Sequence, residues 1–264
     1  MIIGICGLGF VGNSINSFMS MNSVVETVIV YDKYKQINAL DDLIVSDILY
    51  VCIPTPYIDS MKTYNMDEIN NTLFLLNEMN YTGIILIKST VLPDYCENIN
   101  KTFPLLNIIH NPEFLSAATA IEDFAQQTHI ILGYTNNSKY VVSDVEIFYN
   151  TVFPKALLSI TNSTTSALTK LACNSFYATK VQFFTEIFSL CNKIDVEFNE
   201  VKDLMLKNNW INPMHTNVPG PDGQISFGGA CLPKDINALS QFILRNNSYN
   251  SLLDAVIQER NSMR

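Results

Sequence analysis

Short apolar runs and longer amphipathic stretches take turns along the first 150 residues. Met1 to Cys6 is an apolar run that predicts a strand, followed by a helix-like stretch to about Met21. Further strands are predicted at Val28–Tyr31, Ile48–Ile53, Ile84–Lys88, Asn107–Ile109 and His129–Leu132. Helical periodicity separates several of them, over Met66–Met79 and Val141–Tyr149. Apolar strands alternating with helices predict an α/β fold built on a doubly wound parallel sheet. From about Thr161 the pattern changes. Asn162 or Ser163 can cap a long helix running to about Asn192. Its apolar residues (Leu168, Leu171, Phe176, Phe183, Phe184, Phe188) lie nearly all round it, as in a helix buried on several sides. A helix at Phe198–Lys207, a Pro/Gly/Asn loop at Asn212–Gly223 and a last helix at Asn250–Arg264 follow. Two domains are expected: a dinucleotide-binding domain at 1–160 and a helical domain at 161–264.

Composition narrows the function classes. Of 264 residues 48% are apolar and 16% charged, which suits a packed core and argues against disorder. A formal net charge of -9 leaves no basic stripe for nucleic acid. One small phosphorylated ligand is still compatible, because backbone amides can hold it. No apolar run is long enough to cross a bilayer, and no signal peptide is visible. Six cysteines without C-x-x-C spacing read as reduced thiols of a cytoplasmic protein, with no metal site expected.

Two stretches carry chemistry. The first is Gly7-Leu8-Gly9-Phe10-Val11-Gly12, which follows a strand and opens a helix. Asp32 ends the next strand, twenty residues after Gly12. In that context G-x-G-x-x-G is a dinucleotide-binding fingerprint. Gly7 permits the tight turn, Gly9 the approach of a pyrophosphate, and Gly12 the packing of helix on strand. Asp32 would bond ribose hydroxyls and favour NAD, while Lys33 and Lys35 beside it leave NADP open. The second stretch is Phe227-Gly228-Gly229-Ala230-Cys231-Leu232-Pro233-Lys234-Asp235. Pro233 suits a first helical turn and Asp235 suits the positive end of the dipole. Cys231 is thus expected just ahead of a helix N-terminus, where a thiolate is favoured. A glycine loop beside a buried free thiol is the plain alternative. Lys170 and Asn174 share one face of the long helix, where a buried lysine and amide need partners. A structural salt bridge and a catalytic pair both satisfy that need.

Taken together, the motifs resemble the UDP-glucose/GDP-mannose 6-dehydrogenase family. The matching pieces are the glycine turn, Val51-Cys52-Ile53-Pro54-Thr55-Pro56, Lys88-Ser89-Thr90-Val91, Asn111-Pro112-Glu113-Phe114-Leu115, Lys170 with Asn174, Val218-Pro219-Gly220-Pro221-Asp222-Gly223, and the cysteine motif. The resemblance implies oxidation of UDP-glucose to UDP-glucuronate with NAD, through a thiohemiacetal and a thioester on Cys231. It implies Lys170 and Asn174 as oxyanion donors, Glu113 as base or water organiser, and Asp235 and Thr90 as groups that orient that water. Thr55, Thr90 and Lys234 match cofactor contacts, alongside Phe10 and Val11 in the turn. Phe114, Leu115, Phe227, Gly228 and Gly229 match the substrate-binding segments. A homodimer through the long helix is implied as well.

The chain also departs from the family pattern. Ser116-Ala117 stands where the family has an arginine and a second acid. Typical members continue into a third domain that grips the substrate's nucleotide. This stretch is expected to lack it, and a minimal enzyme would then act alone, with a partner chain that replaces that domain, or on a smaller substrate. Other sugar nucleotides (GDP-mannose, a UDP-aminosugar), a non-catalytic NAD-binding or scaffolding module, and a two-electron hydroxyacid dehydrogenase are the competing readings. The last needs no cysteine nucleophile.

Overall fold

The computed structural model describes residues 1–264. In chain order the elements are β1 (Ile2–Cys6), α1 (Phe10–Met19), β2 (Thr27–Tyr31), β3 (Ile48–Val51), β4 (Tyr57–Ile58), β5 (Thr63–Tyr64), α2 (Asp67–Glu78), β6 (Ile84–Ile87) and α3 (Tyr95–Thr102). They continue with β7 (Asn107–His110), α4 (Ala120–Ala125), β8 (His129–Tyr134), α5 (Val142–Val152), β9 (Leu157–Asn162), α6 (Ser163–Ile194), α7 (Phe198–Leu206), α8 (Leu232–Arg245) and α9 (Ser251–Met263). By its contacts the chain divides into two compact units. One is Met1–Pro56 with Tyr64–Lys170; the other is Tyr57–Thr63 with Leu171–Arg264.

The first unit is a seven-stranded sheet in the order β2-β1-β3-β6-β7-β8-β9. Its central strands β1, β3 and β6 are nearly continuous apolar runs because both faces are covered there. Side chains alternate between the two cores, as the pleat requires. Ile3, Ile5, Tyr50, Leu86 and Ile109 face one core with Ile15, Phe124 and Tyr149. Leu49, Val51, Ile85, Ile87 and Ile108 face the other, with Leu73, Cys96 and Ala167. Each fully buried side chain of this kind contributes about 1.5–3 kcal/mol.

The expected doubly wound parallel sheet is present, with parallel pairing from β2 to β7 and one antiparallel junction beyond it. β7 and β8 pair antiparallel, and β9 then pairs parallel to β8. The cause lies in the connection. A parallel crossover needs a helix long enough to return the chain to the far end of the sheet. The link between β7 and β8 has only α4, six residues, or about 9 Å of rise. α4 packs on α1, and the chain re-enters the sheet from the end at which it left. β9, α3, α4 and the β4–β5 hairpin are additions to the pattern read from the sequence.

In the second unit, α6 buries one side. Ala178 and Val181 pack with Phe227, Ile236 and Val256, while Phe184 and Cys191 pack with Phe198. The other side is open: Phe176 is 64% exposed, Phe183 47%, Leu190 51% and Ile194 58%. Within a single chain, burial on several sides is therefore not met, since α8, α9 and α7 reach only one face. No helix is long and apolar enough to cross a membrane.

Candidate functional site

The order β2-β1-β3 makes β1/β3 the point where successive crossovers diverge, and ligands of such sheets bind at the carboxyl ends there. A cleft of about 350 Å³ opens at that place. Gly7, Gly9, Asp32, Lys33, Lys35, Cys52, Pro54 and Glu68 are in its wall. Gly7 has φ +93°, and a Cβ there would meet the Cys52 carbonyl oxygen at 2.7 Å. A Cβ on Gly12 would lie 1.9 Å from the Gly7 oxygen, so α1 can start this close only with glycine. At Gly9 nothing lies within 4 Å of the Cβ position. That open space, at the N-cap of α1, is what a pyrophosphate against the backbone requires. Phe10 and Val11 begin α1 beside it.

Asp32 closes the cleft at the end of β2. Its Oδ2 accepts the Leu8 amide at 2.7 Å, and its Oδ1 accepts those of Lys35 and Tyr34 at 2.8 and 3.0 Å. Desolvation pushes its pKa up, but these three amides outweigh it and hold the carboxyl below its usual range. Lys33 is paired with Glu68 at 2.9 Å, and Lys35 donates to the Leu8 carbonyl at 2.6 Å. Both lysines already have partners, which suits a ribose diol beside Asp32 better than a further phosphate. Cys6 in the same wall is inert: burial, then the Asp32 charge, pushes its thiol up to about 12.

A second group in this unit gathers around the end of β7. Glu113 Oε1 lies 3.3 Å from Lys170 Nζ, and both side chains are buried. Glu113 Oε2 accepts the Leu115 amide at 2.7 Å. Lys170 Nζ also sits 5.0 Å from the centre of the Phe114 ring. Thr55 is buried and donates to the Thr90 carbonyl at 2.6 Å, tying the loop after β3 to that after β6. Asp123 takes the Ser116 amide at 2.8 Å and the Thr119 hydroxyl at 2.9 Å, at the place where the second acid is replaced by Ala117.

Lys88, just after β6, belongs to a motif quoted from the sequence but not to the candidate site residues read there. It donates to Asn111 Oδ1 at 3.1 Å and to the Pro112 carbonyl at 3.4 Å. Burial is the main cause of its pKa falling to about 8. Tyr149 donates to the same Asn111 oxygen at 2.6 Å. These bonds hold the start of the loop that carries Glu113. The signal was Lys88-Ser89-Thr90 itself, a lysine at the end of an apolar strand.

In the second unit Cys231 is the N-cap residue of α8, half-buried, with Pro233 in the first turn. Asp235, one turn on, has no exposure. Its Oδ2 accepts Asn174 Nδ2 at 2.6 Å and its Oδ1 accepts Lys234 Nζ at 2.5 Å. Asn174 lies one turn beyond Lys170 on α6. Phe227 is buried, Gly228 half-buried, and Gly229 holds φ +76°. No group of His, Cys, Asp and Glu side chains has the arrangement of a metal site.

Sheet order, glycine turn and terminal aspartate define a dinucleotide-binding protein of the dehydrogenase type. The chain belongs to the UDP-glucose/GDP-mannose dehydrogenase family: the family's NAD binding domain matches residues 22–152 and its central domain residues 164–262. NAD is therefore the cofactor, and the open cradle at Gly9 lies just outside the matched stretch, so it supports the same conclusion independently. UDP-glucose 6-dehydrogenase of Rickettsia felis is 32% identical over 81% of this chain and 47% of its own length. That of Rickettsia bellii is 36% identical over 68% of this chain and 41% of its own. The chain thus spans about half the length of the curated relatives it matches. The solved structure of a UDP-glucose dehydrogenase from Pyrobaculum islandicum matches with a TM-score of 0.87 at 19% identity, over 99% of this chain and 68% of that one.

Proposed function

We propose that this chain oxidises the C6 alcohol of a nucleotide sugar to the carboxylate, with UDP-glucose as substrate and Cys231 as nucleophile. The observation that carries the reading is Cys231 at the N-cap of α8, one turn from a fully buried Asp235 bonded to Asn174. Bound NAD supplies the hydride acceptor for each of the two oxidations. The Cys231 thiolate attacks the aldehyde carbon to give a thiohemiacetal, whose oxidation leaves a thioester. Water then cleaves the thioester, releasing the carboxylate and the thiol. Lys170 and Asn174 donate to the oxygen that carries negative charge during attack. Glu113 takes the proton from the hydrolytic water, and Asp235 and Thr90 orient that water. Gly7, Gly9, Phe10, Val11, Gly12, Asp32, Lys33, Thr55, Thr90 and Lys234 hold the cofactor. Phe114, Leu115, Phe227, Gly228 and Gly229 hold the sugar. A second copy pairs through the exposed side of α6. None of the six cysteines is in a disulfide, which fits a reducing, cytoplasmic setting.

The test is NADH formation with UDP-glucose, GDP-mannose and UDP-N-acetylmannosamine. Two NADH per UDP-glucose are expected, and Cys231→Ala should yield one at most, because the aldehyde can no longer be held covalently. Absence of NADH with all three sugars, in the presence or absence of added partner chains, removes the proposal. A second reading, a non-catalytic NAD-binding module, is favoured by Ala117 in place of the family's second acid. It requires cofactor binding that Cys231→Ala leaves unchanged and turnover that never appears.

A further inference from the structure

Asp222 to Gly228, of which only Ser226 and Phe227 are buried, are held from two sides. Arg260 on α9 and Arg264 at its C-cap hold them. Arg264 Nε donates to the Ile225 carbonyl at 2.8 Å, Nη2 to the Ser226 carbonyl at 3.0 Å, and Nη1 to Asp222 Oδ2 at 2.8 Å. Arg260 Nε reaches the Phe227 carbonyl at 3.4 Å, and its guanidinium lies 5.8 Å from the Phe227 ring centre. From α6, Thr185 Oγ1 accepts the Ser226 amide at 3.1 Å and Gln182 Oε1 accepts the Ser226 hydroxyl at 2.5 Å. The guanidinium also determines which residue can stand at 228. A Cβ on Gly228 would lie 2.0 Å from Arg264 Nη1 and 2.8 Å from its Cζ. Gly228 has no positive φ, and Asp222 Oδ2 is the next atom a Cβ would meet, at 3.0 Å, so a side chain there must push the end of Arg264 out of its bonds.

The geometry points to Arg264 as a positioning residue for Cys231. Its planar fork fixes Asp222, Ile225 and Ser226 at once and lies against Gly228, three residues before the sulfur. A lysine could not replace it, since one ammonium cannot span three acceptors in a plane. The Arg264 guanidinium beside Asp222 also holds that carboxyl below its usual range, so the pair stays charged at neutral pH. This inference rests on the reading of Cys231 as nucleophile, but its test does not need turnover.

The experiment measures alkylation of Cys231 by iodoacetamide on the intact chain, with peptide mapping, and takes half-buried Cys173 on α6 as internal reference. Arg264→Ala and Arg264→Lys should raise the Cys231 rate roughly tenfold, the factor that a lost charged hydrogen bond commands. The Cys173 rate should not change. A general loss of structure would raise both rates together. Gly228→Ala should reproduce the effect in the wild-type background and add little in the Arg264→Ala background, where only the exposed Asp222 carboxylate remains beside the methyl. If Arg264→Ala does not fold, Asp222→Asn, on an exposed side chain, should raise the Cys231 rate by a smaller factor in the same direction. Equal changes at Cys231 and Cys173, no change at Cys231, or additive effects of Gly228→Ala and Arg264→Ala would each overturn the assignment. Absence of dehydrogenase activity, by contrast, would bear only on the proposed function.

Discussion

His110 shows how much a single residue beside the candidate site depends on what surrounds it. It ends β7, has no exposure, and exchanges a hydrogen bond of 2.8 Å with Ser166 through Nδ1, while Nε2 is buried without a partner. Burial first, then the charges of Lys88 and Lys170, depress its pKa to about 3. The ring is therefore neutral in the folded state and still takes a proton near pH 6.5 in the unfolded chain. Between those values the unfolded state binds more protons, so stability is present above about pH 6.5 and is lost as pH falls towards 3. His110→Gln should remove up to about 1.4 kcal/mol per pH unit from the slope of unfolding free energy between pH 6 and 4. Urea unfolding at several pH values checks this; parallel slopes for the two proteins would contradict it. None of this was legible in the sequence, where His110 is an unremarked end to an apolar run. A depressed pKa comes from burial and from charges distant in the chain, such as that of Lys170 on α6.

At the scale of elements, legibility tracks hydrophobic signal. β1, β3, β6 and α8 were readable because their buried positions are apolar and regularly spaced. β9 was not, because its six residues are exposed or half-buried and include Ser159, Thr161 and Asn162. α3 was not, because only Cys96 and Asn100 of its eight residues are buried. The sense of β8 was hidden for another reason: an apolar strand reads the same in either direction, and the length of the preceding connection decides. The glycine turn was fully legible, since its requirements are steric and local, and it supports a paired prediction. Gly9→Ala adds a methyl to open space, so the apo protein should melt within about 2 °C of wild type, as for ordinary surface changes. Its NAD-induced rise in melting temperature should nevertheless vanish, because the methyl occupies the pyrophosphate's place. Gly12→Ala meets the Gly7 carbonyl and should lower the apo melting temperature itself. A normal NAD shift in Gly9→Ala would remove the cofactor from that turn.

At the scale of the whole molecule, the long helix α6 ties the proposed catalysis to assembly. One side carries Asn174, bonded to Asp235, and packs into the core of the second unit. The other side presents Phe176, Phe183 and Leu190 at intervals of seven residues, then Ile194, all about half exposed or more. Such a spacing keeps apolar residues along one seam of a helix. The sequence showed the apolar content of α6 but could not separate the core side from the outer side, because both are equally hydrophobic. The proposed second copy, seated on that seam, would bury four phenylalanine rings. Being about half exposed to begin with, they contribute about 1 kcal/mol each and roughly 4 kcal/mol together, which corresponds to a shift of about 10³ in dissociation constant. Wild type should therefore be dimeric by light scattering at micromolar concentration, and Phe176→Glu with Phe183→Glu should be monomeric. The double variant should keep its NAD-induced thermal shift, since the cofactor cleft draws its residues from 6 to 75 and none from the seam. A monomeric wild-type chain would remove the pairing while leaving the cofactor site and the Cys231 chemistry standing. A dimer unaffected by both glutamates would move the contact to another surface.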